Sequence, residues 1–182
     1  MNVLVPLAEG FEEIEAITII DTLRRASIKV ITASLKDTQV TGSHDITVTA
    51  DTTLANAINS TYEMIILPGG MPGSKNLTED QRIIDLVQNI YTNNGYIAAI
   101  CAAPMVLGKA GIIKGKNATC FPGVEDKMTE AIPSAEPVVQ DGNIITGRGP
   151  ACTIPFSLKI VEIIKGKEAA LKIQNAMQVY WM

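Results

Sequence analysis

Residues 96–110 read Tyr-Ile-Ala-Ala-Ile-Cys-Ala-Ala-Pro-Met-Val-Leu-Gly-Lys-Ala, and the fold is decided here. Tyr96 to Ile100 is a short apolar run of the kind that forms a strand buried on both faces. A helix-compatible stretch begins just after Cys101, and Gly111 stands where that helix would stop. Cys101 is therefore expected on a tight strand-to-helix corner, where Ala99, Ala102 and Ala103 keep bulk away from a sharply reversing chain. A thiol at a helix N-terminus faces unpaired backbone N–H groups and the positive end of the helix dipole, so the thiolate is expected to be favoured. The competing reading is a buried cysteine that serves as a small hydrophobe.

The pattern on both sides of this corner repeats its logic. Val3 to Leu7 reads as a strand, Ala8-Glu9-Gly10 as a turn, and about Phe11 to Ala26 as a helix. Glu12 and Glu13 sit in the first turn of that helix and Arg24 and Arg25 in its last. Ile28 to Leu35 supplies a second strand, giving a βαβ unit and so a parallel sheet. Residues 36–53 are polar, with an alternating Ile46-Thr47-Val48 that fits a surface hairpin, and Ala55 to Asn59 fits a helical turn. Met64 to Leu67 is the next buried strand and ends in Pro68-Gly69-Gly70, where paired glycines point to close backbone approach. A helix is expected from Thr78 or Glu79 to Tyr91, a strand at Asn117 to Phe121 and a helical segment across Val124–Ala131. Val138-Val139 and Ile144 to Thr146 read as short strands joined through Asp141-Gly142. Helices are expected from Cys152 to Ile164 and from Lys167 to Met177. The reading is one α/β domain over 1–182, a three-layer sandwich with a mostly parallel, doubly wound sheet.

Composition narrows the function. With 182 residues, 47% hydrophobic and 19% charged, the chain is long and apolar enough for a sizeable core. A net charge of -4 argues against nucleic acid or an anionic membrane as main partner. The segment Met1 to Pro6 opens directly on a strand, without a signal peptide's basic region and cleavage site. Three widely spaced cysteines do not make a disulfide framework, so a reducing, cytoplasmic setting is expected. The apolar tail Val179-Tyr180-Trp181-Met182 suits either a dimer contact or a cap on the core.

Three features follow strands directly: the acidic run after the first, Gly69-Gly70 after Leu67, and Cys101 after Ile100. In a doubly wound fold they converge at the carboxyl ends of the strands, where ligands bind. A thiolate nucleophile needs a proton carrier and donors for developing charge. The backbone N–H groups of Gly70 and Ala102 are candidates for the oxyanion hole. His44, the only histidine, falls in the polar excursion and reads as a solvated bystander, which disfavours a cysteine–histidine hydrolase. Among the carboxylates, Glu13 falls toward the polar face of the first helix, while Glu12 and Glu15 lie near the apolar arc of Ala16, Ile19 and Leu23. A carboxyl pressed against apolar surface keeps its proton and can donate to a thiolate. Periodicity does not choose between Glu12 and Glu15. Cys120 and Cys152 read as packing residues, with Cys120 a remote candidate for a resolving thiol.

Ala-Glu-Gly-Phe-Glu-Glu-Ile-Glu (8–15), Leu-Pro-Gly-Gly (67–70), Ala-Ala-Ile-Cys-Ala-Ala-Pro (98–104) and Gly-Arg-Gly-Pro (147–150) stand in this order. With them the sequence resembles the ThiJ/PfpI superfamily (glutamine-amidotransferase-like), and within it the branch of the Parkinson-disease deglycase and its bacterial relatives. The resemblance implies a flavodoxin-like homodimer with a nucleophile elbow at Cys101, which is prone to oxidation, and a partner carboxylate at Glu15. It implies site lining by Gly69, Gly149, Pro150 and Phe121, and no cofactor or metal. The activities it implies are cofactor-free glyoxalase, deglycation of protein and nucleotide adducts, redox sensing and chaperoning under oxidative stress. Two departures stand out. Phe121 occupies the position where many relatives carry a histidine, and Ala102 replaces the histidine of the protease-like branch, so a protease is disfavoured. The leading expectation is a cysteine-dependent glyoxalase or deglycase acting on methylglyoxal-type α-oxoaldehydes or glycated adducts. The alternative is a redox sensor or chaperone whose Cys101 becomes a sulfinate without turnover.

Overall fold

The computed structural model of the chain describes residues 1–180. Trp181 and Met182 of the apolar tail lie outside the described residues; of the rest, Val179 is buried and Tyr180 exposed. In chain order the elements are β1 (Asn2–Leu7), α1 (Glu13–Arg25), β2 (Lys29–Ser34), β3 (Gln39–Thr41), β4 (Thr47–Thr49), β5 (Thr52–Thr53), α2 (Leu54–Ala57), β6 (Met64–Leu67), α3 (Gly73–Glu79) and α4 (Gln81–Thr92). They continue with β7 (Tyr96–Ile100), α5 (Pro104–Ala110), β8 (Asn117–Ala118), β9 (Ile132–Pro133), β10 (Val138–Asp141), β11 (Ile144–Gly147), α6 (Thr153–Lys165) and α7 (Lys167–Ala176).

Among the described residues, seven strands form one sheet in the order β10-β11-β7-β6-β1-β2-β5. Every pairing in it is parallel except β10 with β11, an antiparallel hairpin in which Asp141 faces Ile144. The strands β1, β6 and β7 are almost wholly apolar because each is covered on both sides. On one face α2 to α5 pack Leu54, Leu77, Ile83, Val87, Val106 and Leu107 against Leu4, Ile65 and Ile97. On the other, α1, α6 and α7 pack Ile19, Leu23, Phe156, Ile160 and Ile173 against Val3, Val5, Ile66 and Ile100. This is the three-layer α/β sandwich that alternating strands and helices imply. No helix of the described residues is long and apolar enough to cross a membrane.

Four local expectations are corrected. The helix expected from residue 78 is two helices, because Asp80 leaves helical geometry and its side chain accepts from the Arg82 N–H, capping α4. The expected strand Asn117–Phe121 stops at Ala118, and β8 pairs with β9 outside the main sheet. Phe121 instead donates its N–H to the Cys101 carbonyl at 2.8 Å. The segment 124–131 forms only a short 3-10 turn, Glu125–Lys127. The helix after Cys101 begins at Pro104 rather than beside the cysteine, with Pro104 at its first position and left-handed Gly111 closing it.

Ile65 and Ile66 are consecutive and both fully buried, one in each core. Ile65→Ala and Ile66→Ala are each expected to cost about 2–5 kcal/mol in urea unfolding. A strand with one solvent-facing side would lose that much at only one of the two positions.

Candidate active site

The carboxyl ends of β1, β6 and β7 meet at one point. After β1 the chain turns through Gly10, and the N–H of Glu12 donates to the Gly69 carbonyl at 2.9 Å. Gly73, just beyond β6, donates to the Gly10 carbonyl at 3.0 Å. These bonds dock the start of α1 on the loop after β6 and turn Glu15 inward, where it is fully buried. Glu15 Oε2 accepts the Gly69 N–H at 2.7 Å. A Cβ on Gly69 would sit 2.5 Å from that oxygen and 2.6 Å from the Cβ of Cys101, so the position admits only glycine. The same measurement puts the carboxyl and the cysteine on either side of one point. The next residue, Gly70, has φ +91°, a left-handed conformation that side chains resist.

Cys101 completes the junction. Its N–H donates to the Gly147 carbonyl at 2.9 Å, its carbonyl accepts from Phe121, and Ala103 N–H returns to Ile100 O at 3.0 Å. The reversal forces Cys101 to φ +62°, a strained conformation for a residue with a side chain. The residue is 8% exposed, and the N–H groups of Gly70 and Ala102 approach the thiol as donors.

Electrostatics correct the expectation of a freely acidic thiol. Burial, the Glu15 charge and the hydrogen bond to Glu15 push the Cys101 thiol up to about 12, against the pull of Gly70 and Ala102. The helix dipole is little help, since α5 starts three residues further on. Burial likewise pushes the Glu15 carboxyl up to about 7, opposed by Cys101 and Gly69 and reinforced by the charge of Glu12. The two groups titrate together, and the first proton leaves the pair near neutral pH. Glu15 Oε1 is buried and has no hydrogen-bond partner among the described residues, so it is the oxygen free to carry that proton.

Glu13 is also corrected: it is buried, not on a solvated face. A helical wheel of α1 cannot see that the β3–β4 hairpin folds over it. Glu13 accepts from the His44 N–H at 2.7 Å and meets His44 Nδ1 at 2.9 Å and Ile46 N–H at 3.4 Å. Burial alone would raise its carboxyl, but the His44 and Ile46 bonds bring it down to about 2. His44 itself is exposed and raised by the Glu13 bond. It latches the hairpin to α1, and among the described residues its bonds go to Ser43 and Glu13, not to the thiol. Ligand atoms of Glu12, Glu13 and His44 lie within 4.8 Å of one another, the one such grouping among the described residues, and the latch accounts for their closeness.

The remaining sequence candidates fall in different places. Gly149 lies under the Phe121 ring, where a Cβ would be 3.3 Å from ring carbon, and Pro150 opens the turn into α6. Cys152 is half-buried at the start of α6. Cys120 is buried in the core on the α5 side of the sheet, whereas Cys101 packs on the α1 side. Burial and the Glu125 charge push the Cys120 thiol up to about 11, so it is poorly placed to resolve an oxidised Cys101.

Residues 1–163 match the sequence model of the DJ-1/PfpI family. Protein dj-1beta of Drosophila melanogaster is 39% identical over 181 residues, covering 98% of this chain and 97% of the fly protein. The glutathione-independent glyoxalase DJR-1.2 of Caenorhabditis elegans is 37% identical over 162 residues, covering 88% of this chain and 86% of its own. Protein DJ-1 homolog B of Arabidopsis thaliana matches 98% of this chain at 37% identity, but the chain spans only 41% of that protein. The oxidized DJ-1 structure of Toxoplasma gondii superposes with a TM-score of 0.94 at 37% identity, covering 100% of this chain and 99% of that one.

A carboxyl whose folded value lies above its unfolded 4.5 holds its proton more tightly in the native state, so it subtracts stability as pH rises from about 4.5 through about 7. Glu15→Gln removes that dependence. Its stability relative to the parent protein is expected to climb between pH 5 and pH 8 by up to about 3 kcal/mol in denaturant unfolding. A difference flat with pH would mean the carboxyl is not proton-linked to folding.

Proposed function

The chain belongs to the DJ-1/PfpI family, and from that membership we propose that it is a cysteine-dependent, cofactor-free glyoxalase or deglycase. Its substrates would be methylglyoxal-type α-oxoaldehydes or their adducts, in defence against oxidative and carbonyl stress. The observation that carries the reading is the buried Glu15 carboxyl beside Cys101, with the Gly70 and Ala102 N–H groups on the same sulfur. The relative named as a glutathione-independent glyoxalase supports it.

In this reading each group takes one step. Ionised Glu15 takes the Cys101 proton as sulfur adds to the aldehyde carbon of R–CO–CHO. Negative charge gathers on the former aldehyde oxygen, faces the Gly70 and Ala102 N–H groups, and is quenched by the proton from Glu15. Glu15 then removes the C1 hydrogen of this hemithioacetal as a proton and delivers it to C2, while the hydroxyl proton passes from the C1 oxygen to the C2 oxygen, which turns the adduct into a thioester. Water cleaves the thioester, frees the Cys101 thiol and releases R–CH(OH)–COOH. The sum is substrate plus one water, with one carbon oxidised and its neighbour reduced, so no outside electron carrier is needed. The three unpaired cysteines suit a reducing compartment.

We also propose a homodimer. Ile14 and Ile17 on α1 and Ile46, whose N–H bonds Glu13 of the same helix, are all exposed large apolar side chains of the kind that mark association. Ile17→Asp is expected to shift the sedimentation coefficient from that of a dimer to that of a monomer; a parent protein that sediments as a monomer at micromolar concentration would overturn the idea.

For catalysis, the test is lactate formation from methylglyoxal. Cys101→Ser should abolish it, and Glu15→Gln should lower kcat by about 10²-fold or more. In the parent protein kcat/KM should rise with pH through about 7, the value at which the pair loses its first proton, and Glu15→Gln should lack that limb. Undiminished turnover by Cys101→Ser would end the reading.

A further inference from the structure

Phe121 is anchored at the elbow by its main chain and offered to solvent by its side chain. Its N–H is bound to the Cys101 carbonyl at 2.8 Å, yet the residue is 47% exposed. The ring rests on Gly149, whose missing side chain makes room for it. Met71, the residue after the donor Gly70, is exposed as well. Two uncovered apolar side chains thus stand on residues joined to the site through the main chain. One follows an oxyanion donor in sequence, and the other is hydrogen-bonded to the nucleophile's own carbonyl. An imidazole at position 121 would bring polar nitrogens and a titrating charge to this rim; phenyl brings neither.

We propose that Phe121, together with Met71, forms an apolar rim to the Cys101 site and selects α-oxoaldehydes bearing an aryl or extended alkyl group over methylglyoxal. The inference rests on the catalytic reading above and specifies its substrate class. In R–CO–CHO the sulfur bonds the aldehyde carbon, and R begins on the carbonyl carbon next to it. A methyl group ends there, whereas an aryl group continues outward to the level of the rim. The chemistry is unchanged: phenylglyoxal and one water give mandelate, as methylglyoxal and one water give lactate. An offset or edge-on pair of rings at about 4.5–7 Å is worth a factor of about three to ten in relative rate.

Two readouts separate the rim from the catalysis. The first is the rate of Cys101 alkylation by N-benzyl-iodoacetamide relative to iodoacetamide, followed by intact mass. It needs no turnover, and the ratio cancels changes in the thiol's own reactivity. In the parent protein the benzyl reagent should be favoured, and Phe121→Ala and Phe121→His should each lower the ratio about three- to tenfold. The second is the ratio of kcat/KM for phenylglyoxal to that for methylglyoxal, expected to fall by a similar factor in the same variants. Ratios unmoved by both substitutions overturn the rim, whatever the absolute rates. A labelling ratio that moves in a protein that turns over neither aldehyde supports the rim and sinks the catalytic reading alone.

Discussion

A carboxyl group sealed from water, with one oxygen on a backbone N–H and the other without a partner among the described residues, is the constraint around which this molecule is arranged. Burying such a group is costly unless it keeps its proton or finds a partner for its charge. Here both outcomes lie close together in free energy, which is what a proton carrier at neutral pH requires. The surroundings enforce the balance. Gly69 leaves no volume between Glu15 and Cys101, and the Glu12–Gly69 and Gly73–Gly10 bonds fix the turn of α1 that delivers the carboxyl. The strained cysteine is held by hydrogen bonds from both of its backbone polar groups, so local strain is carried by the sheet and its loops.

Glu13 and Glu15, two residues apart on one helix, show how neighbours of one chemical type diverge. Both are buried. Glu13 meets two N–H groups and an imidazole and stays charged far into acid, while Glu15 meets one N–H and a thiol and is half neutral near pH 7. Depth raises Glu15, whereas the number and kind of its partners lower Glu13.

The central strands were legible because a strand covered on both faces writes itself as an unbroken apolar run, and Tyr96–Ile100 and Met64–Leu67 coincide with what such runs predict. The corner at Cys101 was legible from its alanines. Glu15 was not separable from Glu12 by helical period, and only the resemblance of the whole motif preferred it. Glu13 was misplaced because its burial comes from residues 39–49, remote in sequence and polar in composition. The break at Asp80 was hidden by a helical pattern that continues on either side of a single capping side chain. Asn117–Phe121 has strand-like residues, yet Phe121 spends its N–H on the elbow.

The margins of the sheet carry a consequence of their own. On one side it ends in β5, a strand of only two residues. On the other it ends in β10, whose flank is met by β8 and by the bond from Asn117 N–H to the Asp141 carboxylate. Beyond β5 the edge of β2 is met by charged side chains, Arg24 on the Val30 carbonyl at 3.4 Å and Asp51 on the Thr32 N–H at 2.9 Å. On that side a neighbouring strand would have to displace charged groups before it could pair, which works against strand-to-strand growth of an apolar set of ribbons.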